Sequence, residues 1–195
     1  MIESQDVFRV FEPHRGKAIV TTSGTSGRNW PDASKNPERD ISMGSAMGQT
    51  TSAAFGLALG LPDEKIVLFD SEGALLMNLG VLASIAGKQP KNFVHFLLDN
   101  EVYATTGGQP VPNNANIDYA GMAKAIGYAS THHFDDLEDF ATQVEGIMAE
   151  EGPVFVSIKV VPEVENMPMG LRTQRTTRTR PETIAALQEE LGITV

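Results

Sequence analysis

Apolar residues in this chain fall into short runs and helical stripes that alternate along its length. Residues 66–69 and 93–98 are near-continuous apolar runs, the pattern of strands buried on both faces of a parallel sheet. Residues 17–21, 41–43, 128–131 and 154–161 read as further strands, the last rich in Val, Phe and Ile. Helical patterns lie between them. Residues 49–60, rich in Ala, Leu and small residues, predict a mostly buried helix. Residues 75–85 carry an apolar stripe of Leu75, Leu76, Leu79, Leu82 and Ile85, and residues 137–149 carry Phe140, Val144, Ile147 and Met148. Residues 118–126 predict a short helix, and residues 181–191 a terminal helix opening with proline. Residues 1–16 look like a leading arm with a short helix. Residues 29–40, holding Pro31 and Pro37, look like a polar surface loop. This alternation predicts the α/β class, with a single doubly wound, mainly parallel sheet and helices on both faces. One domain is expected over residues 17–162, followed by an Arg-rich linker and helix over residues 163–195.

The two strongest runs end alike. One closes on Asp70-Ser71-Glu72-Gly73 and a helical segment, the other on Asp99-Asn100-Glu101-Val102-Tyr103. In an open parallel sheet such turns lie at the carboxyl ends of strands, where ligands bind. If the two strands lie close, Glu72 and Asn100 share that edge. A carboxylate, an amide oxygen and a nearby backbone carbonyl are hard oxygen ligands that suit Mg²⁺ already holding phosphate oxygens. A helix beginning at Ala74 would turn its positive end to the same place and favour a diphosphate. The stretch Thr22-Ser23-Gly24-Thr25-Ser26-Gly27 could also serve an anion, through backbone N–H groups and hydroxyls; taken alone it reads as a flexible Ser/Gly turn. On structural grounds alone Met47 would be gap-filling core.

Composition narrows the classes. A chain of 195 residues with 41% apolar content supports one sizeable domain, and no run approaches the roughly 18 apolar residues of a membrane span. The amino terminus lacks the layout of a signal peptide, and the absence of cysteine excludes disulfides and thiolate metal sites, so a cytoplasmic location is the expectation. A formal charge of −10 argues against general nucleic-acid binding. His132 and His133, beside Asp135 and Asp136, read as exposed loop residues following a strand. His95 reads as a hydrogen-bonded core histidine. No G-x-G-x-x-G follows a strand and no G-K-[ST] occurs, which argues against nicotinamide and phosphate-loop chemistry.

Taken together, Gly44-Ser45-Ala46-Met47-Gly48, Ser71-Glu72-Gly73-Ala74-Leu75-Leu76-Met77-Asn78-Leu79-Gly80, Asp99 to Tyr103, and Thr105-Thr106-Gly107-Gly108-Gln109-Pro110 resemble the diphosphate-binding domain of thiamine-diphosphate enzymes. The resemblance is strongest to the sulfopyruvate and phosphonopyruvate decarboxylases and covers residues 17–162. The family signature is Gly-Asp-Gly followed by Asn; here Ser71-Glu72-Gly73 stands in its place, with Asn100 at a matching separation. Glu72 keeps the carboxylate and adds a methylene. Asp70 cannot substitute, being displaced by about 7 Å along a strand.

The resemblance implies thiamine diphosphate and Mg²⁺ as cofactors. Ser23, Gly24, Thr25 and Ser26 would bind diphosphate oxygens. The Ser45 carbonyl would accept from the cofactor's amino group, and Met47 would wedge between its rings; these two are the catalytic assignments. Glu72, Asn100 and the Val102 carbonyl would hold Mg²⁺, and Gly73 and Ala74 would give N–H groups to phosphate. Gly44, Ser71 and Tyr103 complete the implied cofactor-binding set. The implied reaction is decarboxylation of a small anionic 2-oxo acid. The activating glutamate would come from a pyrimidine-binding partner subunit, making a hetero-oligomer such as a heterotetramer. Arg172, Arg175, Arg178 and Arg180 read as a solvated linker or as a seat for an anionic partner or substrate. Two alternatives stand beside this reading: a carboligase of the acetolactate or acyloin type, and a non-catalytic domain with an impaired metal site.

Overall fold

The chain is described from a computed structural model over residues 1–43, 47–168, 171 and 178–193. Its strands there are β1 (Ile19–Thr22), β2 (Asp40–Ser42), β3 (Ile66–Ser71), β4 (Phe93–Asp99), β5 (Val102–Tyr103), β6 (Gln109–Pro110), β7 (Ser130–Phe134) and β8 (Val154–Lys159). Six of them form one parallel sheet in the order β2-β1-β3-β4-β8-β7, and β5 pairs with β6 as a small antiparallel hairpin. Helices are α1 (Ser4–Phe11), α2 (Gly24–Asn29), α3 (Thr50–Gly60), α4 (Glu72–Leu76), α5 (Val81–Lys88), α6 (Tyr119–Ile126), α7 (Leu137–Ala149) and α8 (Arg180–Glu190).

The twofold period of the strands sorts their side chains into two cores. Val67, Phe69, Val94, Phe96, Val156 and Ile158 face one side, under Phe8 and Phe11 of α1 and Phe140 and Val144 of α7. Leu68, Phe93, Leu97 and Phe155 face the other, under Ala54 of α3, Leu82 and Ile85 of α5, Ala123 of α6 and Leu187 of α8. The doubly wound, two-faced α/β sheet expected from the sequence is therefore present. Helix α7 spans residues 137–149 as the pattern predicts, started by Asp136, whose side chain accepts from the N–H groups of Glu138 and Asp139.

Several elements differ from the sequence reading. The first residues are integral to one core: Val7, Phe8 and Phe11 are fully buried, and Ile2 bridges to Val160 beside β8. Phe8, Phe11, Trp30, Phe69 and Phe96 form one aromatic cluster with ring centroids 5.0–5.7 Å apart. Trp30 lies inside the segment expected as a polar surface loop, which instead wraps the sheet through 3-10 turns and buries Asn29, Trp30 and Arg39. Only Thr50, Thr51, Ala54 and Ala58 of α3 are buried, so that helix is less enclosed than expected. The single helix expected over residues 75–85 is split into α4 and α5. Asn78 makes the break: its Nδ2 donates to the Gly48 carbonyl at 2.9 Å and to Ser52 Oγ at 3.1 Å, tying the turn to α3. An apolar stripe continues through such a break, which hides it from periodicity. Strand β7 begins and ends later than expected, so His132 and His133 lie within an edge strand, with His132 Nε2 3.0 Å from Glu150 Oε1. His95 is fully buried in β4, yet neither ring nitrogen has a hydrogen bond among the described residues; Asp70 Oδ2 lies 3.5 Å from Nε2.

Candidate functional site

Strand order reverses at β1 and β3, where the chain leaves for β2 on one side and for β4 on the other. Helix α2, leaving β1, leads to Trp30 and the α1 face of the sheet. Helix α4, leaving β3, leads with α5 to the opposite face. The crevice between diverging loops of this kind is where open α/β sheets take ligands. Ser23, Gly24, Thr25, Met47, Ser71, Gly73, Ala74, Asn100, Val102 and Tyr103 line that one cleft, joined by Ala104 and Thr105. The structure thus gathers most of the residues singled out from sequence. Ser26 and Glu72 are not among them, Glu72 being fully buried behind the cleft wall. The Ser/Gly stretch winds into α2 rather than staying an open turn, which turns Ser26 inward to 1% exposure. Gly44 and Ser45 lie outside the described residues, as do Arg172 and Arg175. Arg178 pairs with Glu38 at 3.0 Å, and Arg180 donates to the Met43 carbonyl, so these two hold α8 against the β2 edge.

Ser23 and Ser71 are the N-cap residues of α2 and α4, and neither caps through its side chain. The first N–H groups of a helix have no intrahelical acceptor, so both helices begin at the cleft with donors left over. Gly24 adopts φ +56°, a left-handed conformation that costs glycine nothing and turns the chain sharply from β1 into α2.

The tips of β3 and β4 lie side by side. Glu72 is fully buried, and its Oε2 accepts from the Asn100 backbone N–H at 3.3 Å. Asn100 Oδ1 in turn accepts from the Val102 N–H at 3.0 Å, made possible by Glu101 turning the chain at φ +67°. Beside them Asp99 is well compensated, by Lys159 Nζ at 2.7 Å and by Asn114 Nδ2 at 2.9 Å. Glu72 has no such paired cation among the described residues, and its Oε1 has no hydrogen-bond partner there. Burial, and secondarily the charge of Asp99, push its carboxyl up to about 8. A buried carboxylate ordinarily has a cationic partner or a metal. Glu72, held against the Asn100 backbone, could with the Asn100 amide oxygen and the Val102 carbonyl of the same segment supply the hard oxygen donors that suit a divalent cation already carrying phosphate. No cluster of three or more His, Cys, Asp or Glu forms a self-contained metal site among the described residues.

Sequence reasoning misses Ala104 and Thr105 in the cleft lining, and Asp70, which lies buried behind it and accepts from Ser23 Oγ at 3.1 Å. From the chain alone Asp70 enters only as too distant to be a ligand. Its position, an acidic residue inside an apolar strand beside the Glu72 turn, is the signal that could have marked it. Ala104 and Thr105 carry none.

Comparison with known proteins agrees with this geometry. Residues 26–158 match the family described as thiamine pyrophosphate enzyme, C-terminal TPP binding domain. Phosphonopyruvate decarboxylase of Streptomyces hygroscopicus is 34% identical over 145 residues, 74% of this chain and 35% of that protein, so the chain spans about a third of that relative's length. Sulfopyruvate decarboxylase subunit beta of Methanothermobacter thermautotrophicus is 33% identical over 151 residues, 77% of each chain. Benzoylformate decarboxylase from Polynucleobacter necessarius shares the fold with a TM-score of 0.69 at 17% identity, over 84% of this chain and 34% of that one. No helix among the described residues is long and apolar enough to cross a membrane. On the family match and the cleft together, the chain belongs to the thiamine pyrophosphate enzyme family, as its C-terminal TPP-binding domain.

Proposed function

We propose that this chain holds the Mg²⁺-diphosphate end of thiamine diphosphate and serves as the diphosphate-binding subunit of a 2-oxo acid decarboxylase of the sulfopyruvate or phosphonopyruvate type. The observation that carries the reading is the buried carboxyl of Glu72 beside Asn100, whose Oε1 has no hydrogen-bond partner among the described residues. Glu72, Asn100 Oδ1 and the Val102 carbonyl would hold Mg²⁺. Gly73, Ala74, Ser23, Gly24 and Thr25 would bind the diphosphate oxygens, and Met47 would support the rings. When bound, the cofactor supplies the electron sink for loss of carbon dioxide from a 2-oxo acid. This chain's part is orientation and charge compensation at the far end of the cofactor, with Ala104 and Thr105 helping to close the cleft. The activating glutamate would come from a pyrimidine-binding partner subunit. In favour of a two-subunit enzyme, the chain matches a relative named subunit beta over 77% of each.

Calorimetric titration of thiamine diphosphate into this chain, co-expressed with a candidate pyrimidine-binding subunit, tests the reading. Binding that depends on MgCl2, and release of an aldehyde from sulfopyruvate or phosphonopyruvate, are the expected results. Absence of metal-dependent heat would reject the reading in favour of an inert partner domain.

A further inference from the structure

Asp70 is fully buried, and three donors converge on it. Its Oδ1 accepts from Ser23 Oγ at 3.1 Å and from the Ser71 N–H at 2.9 Å, and its Oδ2 accepts from Thr51 Oγ1 at 2.5 Å. Ser23 and Ser71 line the cleft from different loops, one opening α2 and the other α4, and these helices leave toward opposite faces of the sheet. Thr51 comes from α3. One carboxylate therefore ties together both walls of the cleft and the helix behind them. A serine at an N-cap ordinarily accepts from an amide in the first turn of its own helix. Here the Ser23 hydroxyl is turned to Asp70 instead.

We propose that Asp70 is a positioning residue for diphosphate binding, which through its bonds to Ser23, Ser71 and Thr51 sets the separation of the two loops that receive the diphosphate. The inference rests on the reading that this cleft binds the cofactor's diphosphate. Asp70 itself is fully buried and does not line the cleft. The two carboxyl oxygens of Asp70 accept from three donors at once, which an amide of the same size, with one acceptor oxygen, cannot match. His95, with Nε2 3.5 Å from Asp70 Oδ2, faces the carboxylate from β4.

The test uses the full chain co-expressed with the candidate pyrimidine-binding subunit and two probes, inorganic pyrophosphate with MgCl2 and thiamine diphosphate with MgCl2, each titrated calorimetrically. Asp70→Ala is expected to weaken both by about 10- to 100-fold, the loss associated with a charged hydrogen-bond network. Asp70→Asn, which keeps one acceptor oxygen, is expected to recover part of that loss. In a Ser23→Ala background Asp70→Ala should weaken pyrophosphate binding much less than in the wild type, whereas a residue needed only for folding would give additive losses. Thr51→Val removes one bond to Asp70 without altering the cleft lining and should weaken pyrophosphate in the same direction. If wild-type protein binds both probes and a folded Asp70→Ala variant binds them equally well, the inference is overturned while the cofactor reading stands. If Asp70→Ala does not fold, an unchanged pyrophosphate affinity in Thr51→Val overturns it instead. If wild-type protein binds neither probe, the cofactor reading fails and this inference with it.

Discussion

The ring of Tyr103 sits so close over the α-carbon of Gly73 that a Cβ at position 73 would come within 2.6 Å of Tyr103 Cε1. Gly73 is the second residue of α4, just beyond the tip of β3, and Tyr103 ends β5, just beyond the tip of β4, so the contact spans the two strand tips. Gly73→Ala is expected to displace the ring and weaken Mg²⁺-thiamine diphosphate binding, on the order of tenfold. Adding Tyr103→Ala should restore part of the affinity by removing the clash, as titration of the single and double variants would reveal.

Glu72→Gln keeps the side chain's size and removes the charge a cation would meet. Mg²⁺-dependent cofactor binding should fall about 100-fold. Because the substituted side chain no longer buries a carboxyl, the variant should melt no lower than the metal-free wild type. A variant with undiminished metal-dependent binding would remove Glu72 from the ligand set.

The same carboxyl makes metal-free stability depend on pH. Between its ordinary 4.5 and about 8 in the folded chain, Glu72 holds more proton in the folded state than in the unfolded one. Its contribution is therefore fully present at low pH and lost as pH rises through that window. Urea midpoints of metal-free protein should drop between about pH 5.5 and 8 by more in the wild type than in Glu72→Gln. Saturating Mg²⁺ should flatten the wild-type slope, with proton release on binding measurable in buffers of different ionisation enthalpy.

Residues 1–16 belong to the folding unit. Phe11 packs edge-on against Phe69 at 5.0 Å and against Phe96 at 5.5 Å. Phe11→Ala should cost about 3–5 kcal/mol in equilibrium urea unfolding. Deletion of residues 1–16 should abolish the cooperative transition, because it also strips Val7 and Phe8 from the core.

Much of this architecture is legible in the chain itself. Apolar runs of the right length name the central strands, the stripe of Phe140, Val144, Ile147 and Met148 gives α7 its buried face, and spaced motifs at two strand tips name most of the cleft. These signals are local: a strand or helix period is written into neighbouring residues. Contacts between distant segments are not legible. Trp30 is buried because α1, well before it in the chain, supplies aromatic partners, and the stripe from Leu75 to Ile85 is broken because Asn78 reaches back to Gly48.

The sequence by itself determined the α/β class and the two acid- and amide-bearing turns, and from them the proposal of a metal-bound diphosphate. Only the tertiary structure decided that Glu72 lies buried against Asn100 without a paired cation among the described residues, that Ser26 turns away from the cleft, and that Asp70 joins its walls. The reason is physical: residue type fixes what a side chain can donate or accept, whereas burial, charge compensation and which donors converge depend on strands brought side by side from distant parts of the chain.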